Sequence, residues 1–212
     1  MASPTPQQAK DELELIYTEV GRALSIWAGV ESTHAHVFHL ASGSKFIDVS
    51  FSVLDAVKSF QARNKLVDDA IKTAVKLQCR YLSPEDANEL KLILTRWLKL
   101  KKCLDEEGRA RNDFAHKVAM TRFDSSLDAD QCAAGVPMLS LPFGHPKFPT
   151  DFKTAVNNGI TATQIRARSD QFRKIGQELS DLQQDWLNIS TGSARPPPLE
   201  RRQIKNPQLN II

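Results

Sequence analysis

Residues 109–117 read Arg109-Ala110-Arg111-Asn112-Asp113-Phe114-Ala115-His116-Lys117. A guanidinium, a carboxamide and an imidazole fall within six positions, at Arg111, Asn112 and His116. These groups can cleave a ribonucleic acid backbone without a metal, because the nucleophile is the substrate's own 2′-hydroxyl. A histidine takes or returns the proton, and an arginine stabilises the charge that builds on the phosphoryl oxygens. An asparagine orients either partner by hydrogen bonding. On one regular helix, five residues turn the chain by about 140°, so Arg111 and His116 do not share a face. Asn112 and His116, four apart, do.

The pattern Arg111-Asn112-x-x-Ala115-His116, at the end of a long amphipathic segment and downstream of a tryptophan-bearing helix, resembles the signature of the HEPN superfamily. The resemblance implies an all-α fold, a helical bundle of four main helices with a loop or short-strand insertion after the motif helix. It implies a metal-independent endoribonuclease that leaves 2′,3′-cyclic phosphate and 5′-hydroxyl ends. Catalysis would fall to Arg111, Asn112 and His116, with RNA held by Arg109, Lys117 and Arg63. It also implies a homodimer in which two motifs line one cleft, and a first-helix acid, here Glu31, that holds the motif arginine. A separate antitoxin or nucleotidyltransferase would be the protein partner, with the chain acting as a toxin or antiphage effector. The rival reading is a non-catalytic helical dimer that binds RNA, a nucleotide or a protein, since fold does not fix function.

Composition narrows the classes. The chain has 212 residues, 41% hydrophobic and 25% charged, ordinary for a globular protein. Cys79, Cys103 and Cys132 form no C-x-x-C pair, so neither a disulfide framework nor a cysteine zinc site is expected. A reducing cytoplasm fits this usage. No signal peptide or membrane span is legible. There is no glycine-rich phosphate loop, nucleophile elbow or dinucleotide fingerprint, and no cofactor is expected. His36 and His39 share a helix face but lack a completing ligand, so no metal is expected either. The net charge of +3 resides in residues 191–212, where four basic residues face Glu200 alone. Between Arg96 and Arg122, eight basic residues face four acids. That local excess suits either a salt-bridged helix or an anionic substrate.

The elements that would position the motif follow from periodicity. Apolar residues spaced three and four apart predict a helix over 8–41 with Leu13, Ile16, Val20, Leu24, Trp27 and Val30 on its stripe. Ser42-Gly43-Ser44 breaks it. A second helix is predicted from about Phe46 to Arg80, with Arg63 and Asn64 in its middle. Ser83-Pro84 opens a third, with serine at the cap and proline in the first turn. Gly108 is expected to end or bend it, so that the motif opens a short fourth segment. Residues 119–149, rich in proline and short apolar runs, read as a loop with one or two strands. Thr161-Ala162-Thr163-Gln164 is a capping box that starts the last helix. The domain expected is 1–190, followed by a proline-punctuated basic tail over 191–212.

Overall fold

A computed structural model of the chain describes residues 5–122, 135–142, 145–149 and 151–192. Its described residues are mainly helical: α1 (Pro6–Ser42), α2 (Ile47–Asp55), α3 (Phe60–Gln78), α4 (Pro84–His116), α5 (Phe152–Asn158) and α6 (Ala162–Gly192). Strands β1 (Val118–Arg122) and β2 (Val136–Ser140) form one antiparallel pair, in register from Val118 opposite Ser140 to Arg122 opposite Val136. The expected helical class and the short strands after the motif helix are therefore present. The proline-rich tail, from residue 193 on, and Cys132 lie outside the described residues.

Boundaries follow local chemistry. Gly43, at φ +65°, ends α1, a left-handed backbone that glycine adopts without a Cβ clash. Ser83 accepts the Asp86 amide at 3.1 Å ahead of Pro84, as its sequence predicts. The capping box also forms. Gln164 Oε1 accepts the Thr161 amide at 2.9 Å, and Thr161 Oγ1 accepts the Gln164 amide at 3.3 Å.

Two expectations are corrected. The helix predicted over 46–80 is broken between Asp55 and Phe60, so the run from Phe60 opens α3 rather than lying mid-helix. Ser59 is the cause, since its side chain caps the Ala62 amide at 3.1 Å. Arg63 Nε then donates to the Val57 carbonyl at 2.7 Å, satisfying an oxygen that the break frees. Gly108 does not end the third helix either, and α4 runs unbroken for 33 residues through the motif. A mid-helix glycine costs about 1 kcal/mol. Burial of Leu104 and Phe114 on either side outweighs it.

The chain divides into two compact units. The first comprises Met1–His34 with Lys102–Leu179, and the second Ala35–Lys101 with Ser180–Ile212. In the first, Ile16, Trp27 and Val30 of α1 are buried, as are Leu104 and Phe114 of α4 and Ile165, Phe172 and Ile175 of α6. Met138 and Leu139 of β2 are buried too, and Leu139 exchanges two backbone hydrogen bonds with Ile160 just ahead of α6. A buried carboxylate, Glu19, accepts both Nε and Nη2 of Arg166 at 3.1 and 2.8 Å.

In the second unit Leu54, Val67, Ile71, Leu90, Ile93, Trp97, Leu182 and Trp186 are buried. Asp68 is buried beside them, accepting Trp97 Nε1 at 3.1 Å and Lys72 Nζ at 2.8 Å, with Lys101 Nζ 3.8 Å away. Burial pushes its carboxyl upward, but the bonds from Lys72 and Trp97 and the charges of both lysines outweigh it. The net result is a carboxyl held below the ordinary aspartate value. A carboxyl depressed on folding stabilises the protein above its unfolded pKa, near 3.9, and that stability is lost as pH falls through the folded value. Thermal midpoints measured from pH 7 to pH 3 should therefore drop less steeply in Asp68→Asn than in the wild-type protein.

Candidate functional site

The motif occupies the last two turns of α4, within the first unit. Arg111 is half-buried, and its Nη1 donates to Asn112 Oδ1 at 3.1 Å. His116 is the final residue of the helix, and it is exposed. Because α4 is regular through this stretch, the turn of about 140° between Arg111 and His116 holds. One chain therefore presents Asn112 and His116 together and leaves Arg111 on the flank nearer the core. The carboxamide is turned to the guanidinium rather than to the imidazole.

The other expected residues are placed as follows. Arg109 is exposed on the same side of α4 as His116, its Nε bonded to the Asp105 carbonyl at 3.1 Å. Lys117 Nζ stands 3.7 Å from Asp113 Oδ2. Arg63 lies in the second unit, engaged with Val57 and 4.0 Å from Asp55. Glu31 accepts the Trp27 indole at 2.7 Å and makes no ion pair with Arg111. His36 packs edge-on against Phe51 and His39 Nδ1 meets Ser50 Oγ at 3.1 Å. No cluster of three or more metal-ligating side chains occurs among the described residues. None of their helices is long and apolar enough to cross a membrane. Of the basic residues between Arg96 and Arg122, Arg96 pairs with Asp185, Lys101 with Asp68 and Lys117 with Asp113. Much of that excess is thus spent in ion pairs, and Arg109 is left exposed beside the motif.

Residues beyond the motif also belong to this site. Glu107 stands one turn before Arg111 on the same face and is 6% exposed. Its Oε1 accepts Arg168 Nη1 of α6 at 2.6 Å. Glu107 Oε2 and Arg111 Nε are both buried and find no partner among the described residues. A charged residue on the stripe that joins Leu104 to Phe114 was the signal in the sequence, since unpaired acids are almost never fully buried. Nearby Cys103 is held as a thiol more firmly than an ordinary cysteine. Burial pushes its thiol pKa up, and Glu106, Glu178 and Glu107 push it further.

Beside the motif lies a cleft of about 640 Å³ within the first unit. Glu107, Asp113 and Phe114 of α4 form one wall, the end of α5 a second, and Gln164, Arg168 and Gln171 of α6 a third. Asp113 both lines this cleft and lies in the chain between Asn112 and His116, so the motif is on its rim.

Family models, curated proteins and solved structures yield no match to this chain. The likeness to HEPN proteins thus rests on the motif. What the geometry adds is a helix end that presents an imidazole to solvent, with a carboxamide-tethered arginine one turn behind it.

Proposed function

We propose that the protein is a metal-independent endoribonuclease of HEPN type whose active form is a homodimer. The observation that carries this reading is the end of α4, where His116 is exposed and bonded to no described side chain while Arg111 is tethered by Asn112. His116 removes the 2′-hydroxyl proton as general base or protonates the 5′-oxygen leaving group as general acid. In the dimer the motifs of both copies line one cleft, so the imidazole of one copy works beside the arginine of the other. Arg111 stabilises the negative charge of the phosphorane-like transition state. Asn112 holds the guanidinium through its carbonyl and leaves its amide hydrogens for a phosphate oxygen. Arg109 and Lys117 attract the backbone.

The need for a second copy gives a direct test. Arg111→Ala and His116→Ala proteins should each cut far more slowly than wild type alone, yet regain a fraction of wild-type cleavage when unfolded and refolded together. In a mixed dimer one site can take its arginine from one copy and its imidazole from the other. No recovery, despite mixed dimers seen by native mass spectrometry, would contradict a shared site.

A second reading is favoured by one observation, the separation of Arg111 and His116 on a single α4. On that reading the helical protein binds RNA, a nucleotide or a partner protein and turns nothing over. Tight RNA binding with no product from dimeric wild-type protein would select it.

A further inference from the structure

The cleft beside the motif differs in chemistry from the motif itself. Its charged wall residues are two carboxylates, Glu107 and Asp113, against one guanidinium, Arg168, so it does not attract a phosphate. Arg168 is already committed to Glu107 Oε1, and Glu107 Oε2 has no donor among the described residues. The side chains of Asn157, Asn158 and Gln171 make no hydrogen bond with any described residue. Gln164 uses its carbonyl oxygen at the α6 cap and retains its amide hydrogens. The walls thus offer carboxamide donors and acceptors beside carboxylate acceptors, over an apolar patch that includes Phe114 and Ile160. The volume falls in the range of small-molecule sites, roughly 300–1,000 Å³.

A planar ligand whose edge alternates donors and acceptors matches such walls. Carboxamides and carboxylates read the edges of unpaired bases in this way, with carboxylates accepting from exocyclic amino groups. We propose that the cleft is a nucleobase subsite that prefers bases bearing an exocyclic amino group, adenine, guanine or cytosine, over uracil. The preference follows from the acceptor excess. Carboxylates only accept, and uracil brings a single N–H on its pairing edge where the other bases bring an amino group. The inference deepens the nuclease reading by giving it a base preference next to the cut, and it rests on that reading for its physiological meaning. Mononucleotide binding requires no catalysis, so the two can fail separately.

Titration calorimetry of the full chain with AMP, GMP, CMP and UMP tests it, in parallel with the double variant Asn158→Ala, Gln171→Ala. Both side chains stand outside the buried core, and a wild-type circular dichroism spectrum and melting midpoint check that the variant is folded. At least one amino-bearing nucleotide should bind roughly tenfold tighter than UMP, the worth of one hydrogen bond to a charged group. The double variant should lose that preference, and inorganic phosphate should not compete. Absence of binding, equal binding of UMP, competition by phosphate, or a variant that binds as wild type would each overturn the proposal. If RNA is cut with no base preference and no nucleotide binds, the cleft inference fails and the nuclease reading stands. If nucleotides bind and His116→Ala cuts as wild type does, the nuclease reading fails and the cleft stands.

Discussion

His116→Ala should cut RNA about 10²–10⁴-fold more slowly than the wild-type protein, the usual contribution of a positioned general acid or base. The size of this effect is informative because little else changes. His116 ends α4, is exposed, and its side chain makes no hydrogen bond with another described residue. Its removal takes nothing from the core, so unfolding free energy should move by no more than about 0.5 kcal/mol. Lost activity in a protein of unchanged melting midpoint is then a chemical loss. Single-turnover cleavage of a labelled RNA, read beside a thermal melt of the same sample, measures both. A variant that cuts within a few-fold of wild type would remove His116 from the mechanism.

Phe172→Ala should produce the largest loss of stability, about 3–5 kcal/mol, the cost of emptying a buried aromatic site. Phe172 is fully buried on α6 and meets two rings at once. Trp27 approaches it edge-on, with centroids 4.9 Å apart and planes at 66°. Phe114 packs against it at 6.1 Å and 50°. The Trp27 contact is the favourable edge-to-face arrangement of aromatic quadrupoles, so truncation loses ring contact as well as buried area. For a chain of this size the expected drop in melting temperature is about 6–20 °C. Phe114 lies two residues after Asn112 and two before His116, so the same change loosens the helix end that carries the motif. Tyr81→Ala is the control: Tyr81 is 67% exposed, and its loss should cost under about 0.5 kcal/mol. If Phe172→Ala melts within a degree or two of wild type, the packing described for the first unit is wrong.

How much of this was legible in the sequence depends on how far apart the interacting residues lie. The serine ahead of Pro84 and the Thr161–Gln164 capping box act over four residues or fewer, and each is where capping rules put it. Of the α1 stripe, Ile16, Trp27 and Val30 are buried, whereas Leu13, Val20 and Leu24 are half-buried and Glu19 and Ala23 take the buried line between them. The break at Ser59 was hidden because Leu54, Val57 and Phe60 keep a spacing of three across it, which a helix and a capped turn satisfy equally. Gly108 misled in the opposite direction. Helix propensity favoured a stop there, and burial of the flanking residues overrode it. The buried acids were the least legible. Glu19 and Asp68 carry no local mark of burial and Glu107 only its place on an apolar stripe, because the partners that neutralise Glu19 and Glu107 stand 147 and 61 residues away and the Trp97 indole stands 29 residues from Asp68. The cleft was invisible for the same reason. Its walls come from α4, α5 and α6, and only folding brings Glu107 beside Gln171. For the motif, the sequence supplied residue types and spacing. The structure adds that Arg111 is tethered by Asn112 and that Glu31 serves Trp27 instead.

The most direct test of the central claim is cleavage of RNA by purified dimeric protein in excess EDTA, with the product ends identified by mass spectrometry. The account predicts cutting that EDTA does not slow, leaving 2′,3′-cyclic phosphate and 5′-hydroxyl ends, as attack by the substrate's own 2′-hydroxyl requires. Cutting that EDTA abolishes, products with 5′-phosphate ends, or no cutting of any RNA would contradict it.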